Sequence, residues 1–293
     1  MRRKRNLTPL WFLLPSMIIF GLFAIYPVLD AIITSLCRYN LTEPDATRVF
    51  IGLANYRAMI LDLRFWEGLK RSFQFVVVSV AGSLALGFYI AYVLSKITLG
   101  KGVFRIIFLV PMSISATVTA LSFKFMLNVN FGVINIMLNN YLGIKVNFLG
   151  DPALALWTAV AIDIWQWTPL VVLILLAGLE SMPVEVYEAA SLDGAGTWSL
   201  LRYVTIPLMR RFILIALLIR TMDAFRVYET IQLTTAGGPG TLSETLNVYI
   251  AKRGFSFFEM GPAASMALFL TFLIVFLATA FVRKSGAFKE SVR

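Results

Sequence analysis

Arg220, Asp223, Arg226 and Glu229 recur at intervals of three inside an otherwise apolar stretch. Asp or Arg in mid-hydrocarbon costs about 2.5–3.5 kcal/mol on insertion scales, so such groups face one another or a wet cavity. At this spacing neighbours can pair along one side of a helix. Direct contact with a polar solute is the other use, and the two are compatible. A second group, Asp163, Trp165, Gln166 and Trp167, precedes Pro169 in another apolar stretch. Aromatic rings beside carboxylate and amide groups suit a sugar, whose C–H faces stack while its hydroxyls exchange hydrogen bonds. An interfacial aromatic belt would use the same rings. The proline lets the helix bend and turn carbonyls toward a cavity.

The third constellation is a polar insert, EVYEAASLDGAGTWSLLRYVTIPLMRR, residues 185–211, between two apolar stretches. Pro183 suits a first helical turn, Glu185 and Glu188 lie near the positive end of the helix dipole, and Ala189 and Ala190 favour helix. Gly194 and Gly196 break it. Thr197 is a candidate cap for a second run in which Leu200, Leu201 and Val204 recur at helical spacing until Pro207 ends or kinks it. Two helices of about 10 residues, roughly 15 Å each, are too short to span a bilayer. Such a module either docks against something soluble that pushes it or lies on lipid headgroups.

The elements that position these groups are membrane spans. A chain of 293 residues with 59% hydrophobic and 14% charged residues is too apolar for a soluble domain. Six runs approach the length that a hydrocarbon core of about 30 Å demands, at about residues 10–37, 72–95, 104–127, 153–178, 208–233 and 263–282. The expected fold is therefore all-α and polytopic, with about six transmembrane helices and a helix-turn-helix loop. Residues 1–9 form a basic amino terminus, 10–283 the transmembrane domain with its loop at 179–207, and 284–293 a tail. Arg2-Arg3-Lys4-Arg5 could also begin a signal peptide, but the apolar run that follows is too long and lacks a clear small-residue cleavage site.

Lys and Arg in the loops set the orientation. With both termini inside, 14 of the 26 basic residues are cytoplasmic: Arg2, Arg3, Lys4, Arg5, Lys96, Lys101, Arg105, Arg202, Arg210, Arg211, Arg283, Lys284, Lys289 and Arg293. Nine lie outside over a longer combined length, Arg38, Arg48, Arg57, Arg64, Lys70, Arg71, Lys145, Lys252 and Arg253. This arrangement explains the net charge of +10 through anionic lipid, with no basic stripe on a soluble domain to suggest nucleic acid.

The chain has no histidine, and Cys37 is its only cysteine, so a zinc site, a Cys-His nucleophile and an internal disulfide are all unsupported. Cys37 reads as a packing residue. No G-x-x-x-x-G-K-[ST] sequence exists to cradle ATP, and Ala236-Gly237-Gly238-Pro239-Gly240 follows a span rather than a strand and reads as a tight turn.

Glu188-Ala189-Ala190, Gly194, Val204 and Ile206-Pro207, in that order and spacing, resemble the signature loop of permease subunits in ATP-binding-cassette importers. Phe50-Ile51-Gly52-Leu53-Ala54-Asn55-Tyr56, Leu109-Val110-Pro111 and Thr235-Ala236-Gly237-Gly238-Pro239-Gly240 resemble the carbohydrate-uptake branch, of maltose, trehalose and glycerol-3-phosphate type. The resemblance covers nearly the whole chain. It implies a bacterial or archaeal inner-membrane subunit that performs no catalysis. It also implies a second homologous permease, two ATPase subunits carrying ATP and Mg, and an extracytoplasmic sugar-binding protein. This chain would hold no cofactor. In its loop, Glu188, Ala189, Ala190, Asp193, Gly194 and Pro207 would engage the ATPase, with Glu188 pairing with a basic residue there. The sugar path would be lined by Met112 and Ala116, by Asp163, Gln166, Trp167 and Leu170, and by Arg220, Asp223, Ala224 and Val227. Several hydroxyl or amide positions of the maltose-type pattern are apolar or charged here, which departs from maltose itself.

The alternative is an ion- or proton-coupled secondary transporter that titrates Asp163, Asp223 and Glu229. It would favour internal repeats with matching broken helices, and no clear repeat is found. A membrane-embedded enzyme would need converging acid and base groups at the membrane face, which the sequence does not suggest.

Overall fold

In lipid a backbone must satisfy its own hydrogen bonds, so apolar runs of this length become helices. The computed structural model describes residues 8–97 and 100–285. The basic Arg2–Arg5 cluster and the tail from 286 onward lie outside the described residues. The fold is all-α apart from one pair of two-residue strands. The helices are α1 (Thr8–Phe20), α2 (Tyr26–Ser35), α3 (Ala54–Leu61), α4 (Leu63–Lys96), α5 (Lys101–Ser113), α6 (Ala116–Met126) and α7 (Val133–Leu142). They continue with α8 (Ala155–Glu180), α9 (Val184–Leu192), α10 (Thr197–Ser199), α11 (Ile206–Ala224), α12 (Glu229–Thr234), α13 (Leu246–Ala251) and α14 (Met260–Ser285).

Among the described residues, four helices are long and apolar enough to cross a membrane: Phe12–Ser35, Leu63–Lys96, Ala155–Glu180 and Met260–Lys284. Gly102–Ser113 and Ala116–Met126 would make a fifth if counted together, but they meet at 89°. The sequence read one run there, about 104–127. Ile114 and Ser115 instead leave the helix, and Ser115 caps α6 by accepting the Val118 amide at 3.3 Å. The run expected at about 208–233 is also divided, because α11 stops at Ala224 and α12 begins at Glu229. With Arg210, Arg211, Arg220 and Asp223, α11 is less apolar than the four long helices.

The chain forms two compact units. The first runs to Trp66 and resumes over Tyr249–Leu273. In it α1, a π turn at Gly21–Ile25 and α2 make one continuous run whose apolar window is entirely unburied. After it, Cys37–Arg38 pairs antiparallel with Val49–Phe50. Phe65, fully buried, packs edge-on against Phe269 with ring centroids 5.3 Å apart.

The second unit takes Glu67–Val248 and the chain from Ile274. Its centre is α8, 61% of whose apolar window is buried, against 33% for α4. Lipid tails are as apolar as leucine, so close packing rather than water exclusion joins such helices. Small residues allow it: a Cβ on Gly82 would fall 2.5 Å from Ile164 Cδ1, and one on Gly87 2.6 Å from Val171 Cγ1. Ala91, Leu94, Val171, Leu175, Leu176 and Met209 fill one core, and Phe75, Leu156, Val160, Ile231 and Val248 another. α8 runs unbroken through Pro169, and the Thr168 hydroxyl takes the Ile164 carbonyl at 2.6 Å. The segment at 235–240 is a turn, with Gly238 N–H donating to Thr235 O at 2.8 Å.

Candidate functional site

Two sites in the second unit gather the residues singled out from sequence. The first is a polar centre joining α4, α8 and α11. Arg220, fully buried, donates from Nη2 to Asp163 Oδ2 at 2.6 Å and to Ser79 Oγ at 3.0 Å. Its Nε reaches Ser83 Oγ at 3.5 Å and its Nη1 reaches Asp223 Oδ2 at 2.9 Å. Ser79 also donates to Asp163 Oδ2. The guanidinium carbon lies 5.7 Å from the Trp167 ring centroid. The i,i+3 pairing of Arg220 with Asp223 read from sequence is present. The pairing does not continue, because α11 ends at Ala224. Arg226 and Glu229 lie exposed beyond it and make no ion pair among the described residues.

A buried ion pair offsets its desolvation only when geometry and extra hydrogen bonds are good, and the two serines supply those bonds. The sequence reading missed both. Their signal was a pair of hydroxyls four residues apart in an apolar helix, which sets them on one face.

Gln166, 1% exposed, donates to the Ile114 carbonyl at 3.1 Å, which satisfies a group freed by the break between α5 and α6, while its Oε1 is buried without a partner. Met112 and Ala116 flank that break and are half-buried. Trp165 packs edge-on against Phe123 at 5.2 Å. Both line a cavity of about 380 Å³ with Val118, Thr119, Ser122 and Met126. Ala224 is buried, Leu170 is half-buried, and Val227 packs against the core around Phe75 and Ile231. Asp163, Arg220, Asp223 and Trp167 thus meet, and Gln166 meets the broken span. Leu170, Ala224 and Val227 join neither group.

The second site is the polar insert. α9 starts after Pro183 and ends in a Schellman cap, with Ala195 N–H donating to Ala190 O at 3.0 Å and Gly194 N–H to Ser191 O at 3.1 Å. Gly194 has φ +81 and open space where a Cβ would stand, so conformation and not crowding calls for glycine. Glu188, Ala189, Asp193, Gly194 and Pro207 are exposed, Ala190 is half-buried, and α9 buries no residue. Glu188 makes no ion pair among the described residues. Leu192 and Trp198, 89% and 71% exposed, flank the turn.

The second helix departs from expectation at its start and continues past its proline. Gly196, not Thr197, is its N-cap, with no side-chain bond. Pro207 does not end it: residues 197–224 are helical throughout, with a π turn over Leu200–Thr205. Proline cannot donate to a carbonyl one turn back. The widened turn accommodates it, with Ile206 N–H donating five residues back to Leu201 O and the Thr205 hydroxyl donating to Leu200 O at 3.3 Å. The Tyr187 hydroxyl lies 3.2 Å from Thr205 Oγ1 and ties α9 to that turn.

Residues 72–286 match the family described as binding-protein-dependent transport system inner membrane component. The trehalose/maltose transport system permease protein MalF of Thermococcus litoralis is 33% identical over 95% of this chain and 93% of that protein. The trehalose transport system permease protein SugA of Mycobacterium tuberculosis is 31% identical over 93% and 87%. A solved bacterial ABC transporter involved in import of the acidic polysaccharide alginate has a chain of the same fold. Its TM-score is 0.83 at 22% identity, over 98% of each chain. Long apolar helices, a helix pair that meets at 89° and an exposed capped loop accompany these likenesses, and the chain belongs to the binding-protein-dependent inner-membrane transport family.

Proposed function

We propose that this chain is one permease subunit of an ATP-driven, binding-protein-dependent sugar importer. It forms half of the translocation pathway together with a second homologous permease. Family membership and relatives named for trehalose and maltose support the substrate class. In this reading both termini and the α9 loop are cytoplasmic, two ATPase subunits hold ATP and Mg, and an extracytoplasmic protein delivers the sugar.

The exposed, Schellman-capped turn, with a Glu188 that makes no ion pair among the described residues, is the observation that carries the coupling role. A carboxylate meeting a basic residue at a half-buried joint fixes direction as well as adhesion, which a contact transmitting motion requires. The turn is continuous with the helical run 197–224, on which Arg220 also sits, about 33 Å along at 1.5 Å per residue from Trp198. ATPase closure would push the turn, and the run would carry that displacement to the polar centre among α4, α8 and α11.

An ion-coupled carrier would need Asp163 free to take up and release its ion. Here one Asp163 oxygen accepts from both Arg220 and Ser79, an arrangement that suits a joint better than a carrier site.

Glu188→Lys tests the proposal. The variant should insert and fold as wild type while ATP-dependent uptake of trehalose or maltose falls to background. Normal uptake would remove the coupling role, and uptake that ignores ATP but collapses with the proton gradient would favour the ion-coupled alternative.

A further inference from the structure

The stretch Phe50–Tyr56, part of the family resemblance, also has a physical task. A helix ends with carbonyls that have no partner inside it. Where α2 ends, Asn55, 6% exposed, donates from Nδ2 to Ser35 O at 2.8 Å and to Cys37 O at 2.9 Å. Tyr56 Oη lies 2.9 Å from Ser35 Oγ, and Ile51 N–H donates to Leu36 O at 2.9 Å. Gly52, at φ +61, turns the chain from strand into α3 and so delivers Asn55 to this place.

The residues that follow α2, Tyr39 and Leu41, are held in turn by residues at the start of α14. Gly261 N–H donates to Tyr39 O at 3.2 Å, and Leu41 N–H to Phe258 O at 3.0 Å. The approach is close: a Cβ on Gly261 would stand 2.3 Å from Cys37 O and 3.0 Å from Asn55 Nδ2. Phe258 has φ +60, a conformation that a bulky residue keeps only where its surroundings over-determine it. The end of the first span is thus fastened on two sides, although the apolar window Phe12–Ser35 is unburied.

We propose that Asn55 is a positioning residue for transport: its carboxamide fastens the end of the first span to α3, while the start of α14 holds the residues that follow, and so sets the direction in which that unburied span leaves the clasp. The transport half of this proposal rests on the permease reading. The clasp does not.

Cys37, 5% exposed and the only cysteine, is a built-in reporter. The assembly would be purified with its co-assembled partners and its reaction with a fluorescent maleimide timed. Asn55→Asp keeps the shape and loses both donors, and Gly261→Ala adds a methyl group where Cys37 O lies. Each should raise the labelling rate by about tenfold or more, the scale set by a buried group losing its hydrogen bonds. Asn55→Gln, which retains the amide, should restore much of the wild-type protection. In uptake of radiolabelled trehalose, both disruptive variants should lose Vmax with KM and the amount of co-purified ATPase unchanged.

Unaltered Cys37 labelling in both Asn55→Asp and Gly261→Ala would overturn the clasp. Faster labelling with normal Vmax would overturn its positioning role. No trehalose uptake by the wild type would count against the substrate reading instead, and labelling would then decide the clasp alone. If Asn55→Asp does not fold, Gly261→Ala and Tyr56→Phe answer the same question.

Discussion

The polar centre and the α9 loop both carry charge, but in opposite states. Arg220 is wholly buried, with its donors spread over two carboxylates and two serines. Glu188 is exposed and makes no ion pair among the described residues, and Leu192 and Trp198 near it are exposed as well. One region is completed by its own chain, and the other is left incomplete. In the proposed function, stability is therefore read at the first, and assembly at the second.

The contrast breaks most sharply at Arg220. Arg220→Met should cost about 3–5 kcal/mol, because Asp163 is left buried without its partner. The double variant Arg220→Met/Asp163→Leu should recover most of that loss, as read by thermal unfolding in detergent. If the double variant is no better than the single, the pair is not the joint described.

Trp198→Ala should do the reverse. It should leave the chain's own unfolding within about 0.5 kcal/mol of wild type, as exposed positions do. Retention of the ATPase should weaken by about 2 kcal/mol, the scale of an interface anchor, measured by titrating the purified ATPase onto the permease pair. Equal retention would place the partner elsewhere.

Tyr187→Phe bridges the two regions, since its hydroxyl ties α9 to Thr205. Loss of about 1 kcal/mol is expected. It should appear as ATP hydrolysis less tightly coupled to uptake rather than as failed assembly. Gly194→Ala is the mildest change. Only the left-handed backbone opposes the methyl group, at a cost of about 1 kcal/mol or less in local helix stability, visible as faster amide exchange over α9.

Much of this was legible in residue order. Long apolar runs dictate helices in lipid, and the i,i+3 spacing of Arg220 and Asp223 foretold their pairing. What stayed hidden depended on neighbours distant in sequence. The spacing of Ser79 and Ser83 sets them on one face, but it does not name as their partner a guanidinium 141 and 137 residues away. The 89° break at Ile114–Ser115 follows a proline that, three residues earlier, is tolerated inside α5. Gln166 accepts that break by donating to Ile114 from another helix, which no spacing rule reveals. Of the two outcomes expected at Pro207, an end or a kink, the end does not occur, because one extra residue per turn over Leu200–Thr205 absorbs the proline. Asn55 likewise looked like part of a signature, and nothing in the sequence marked Gly261, 206 residues further on, as its neighbour.

The unbroken run 197–224 has a mechanical implication. Twenty-eight residues at 1.5 Å each make a rod of about 42 Å, so a tilt of about 5° at its outer turn sweeps the opposite tip by almost 4 Å. The 2.6 Å bond from Arg220 to Asp163 would not survive such a sweep if α8 stood still. Under the proposed coupling, either the rod drags α4 and α8 along as one block, or each stroke tears that bond and remakes it. A spin-label pair spanning α8 and α11 would tell a rigid stroke from a ratchet.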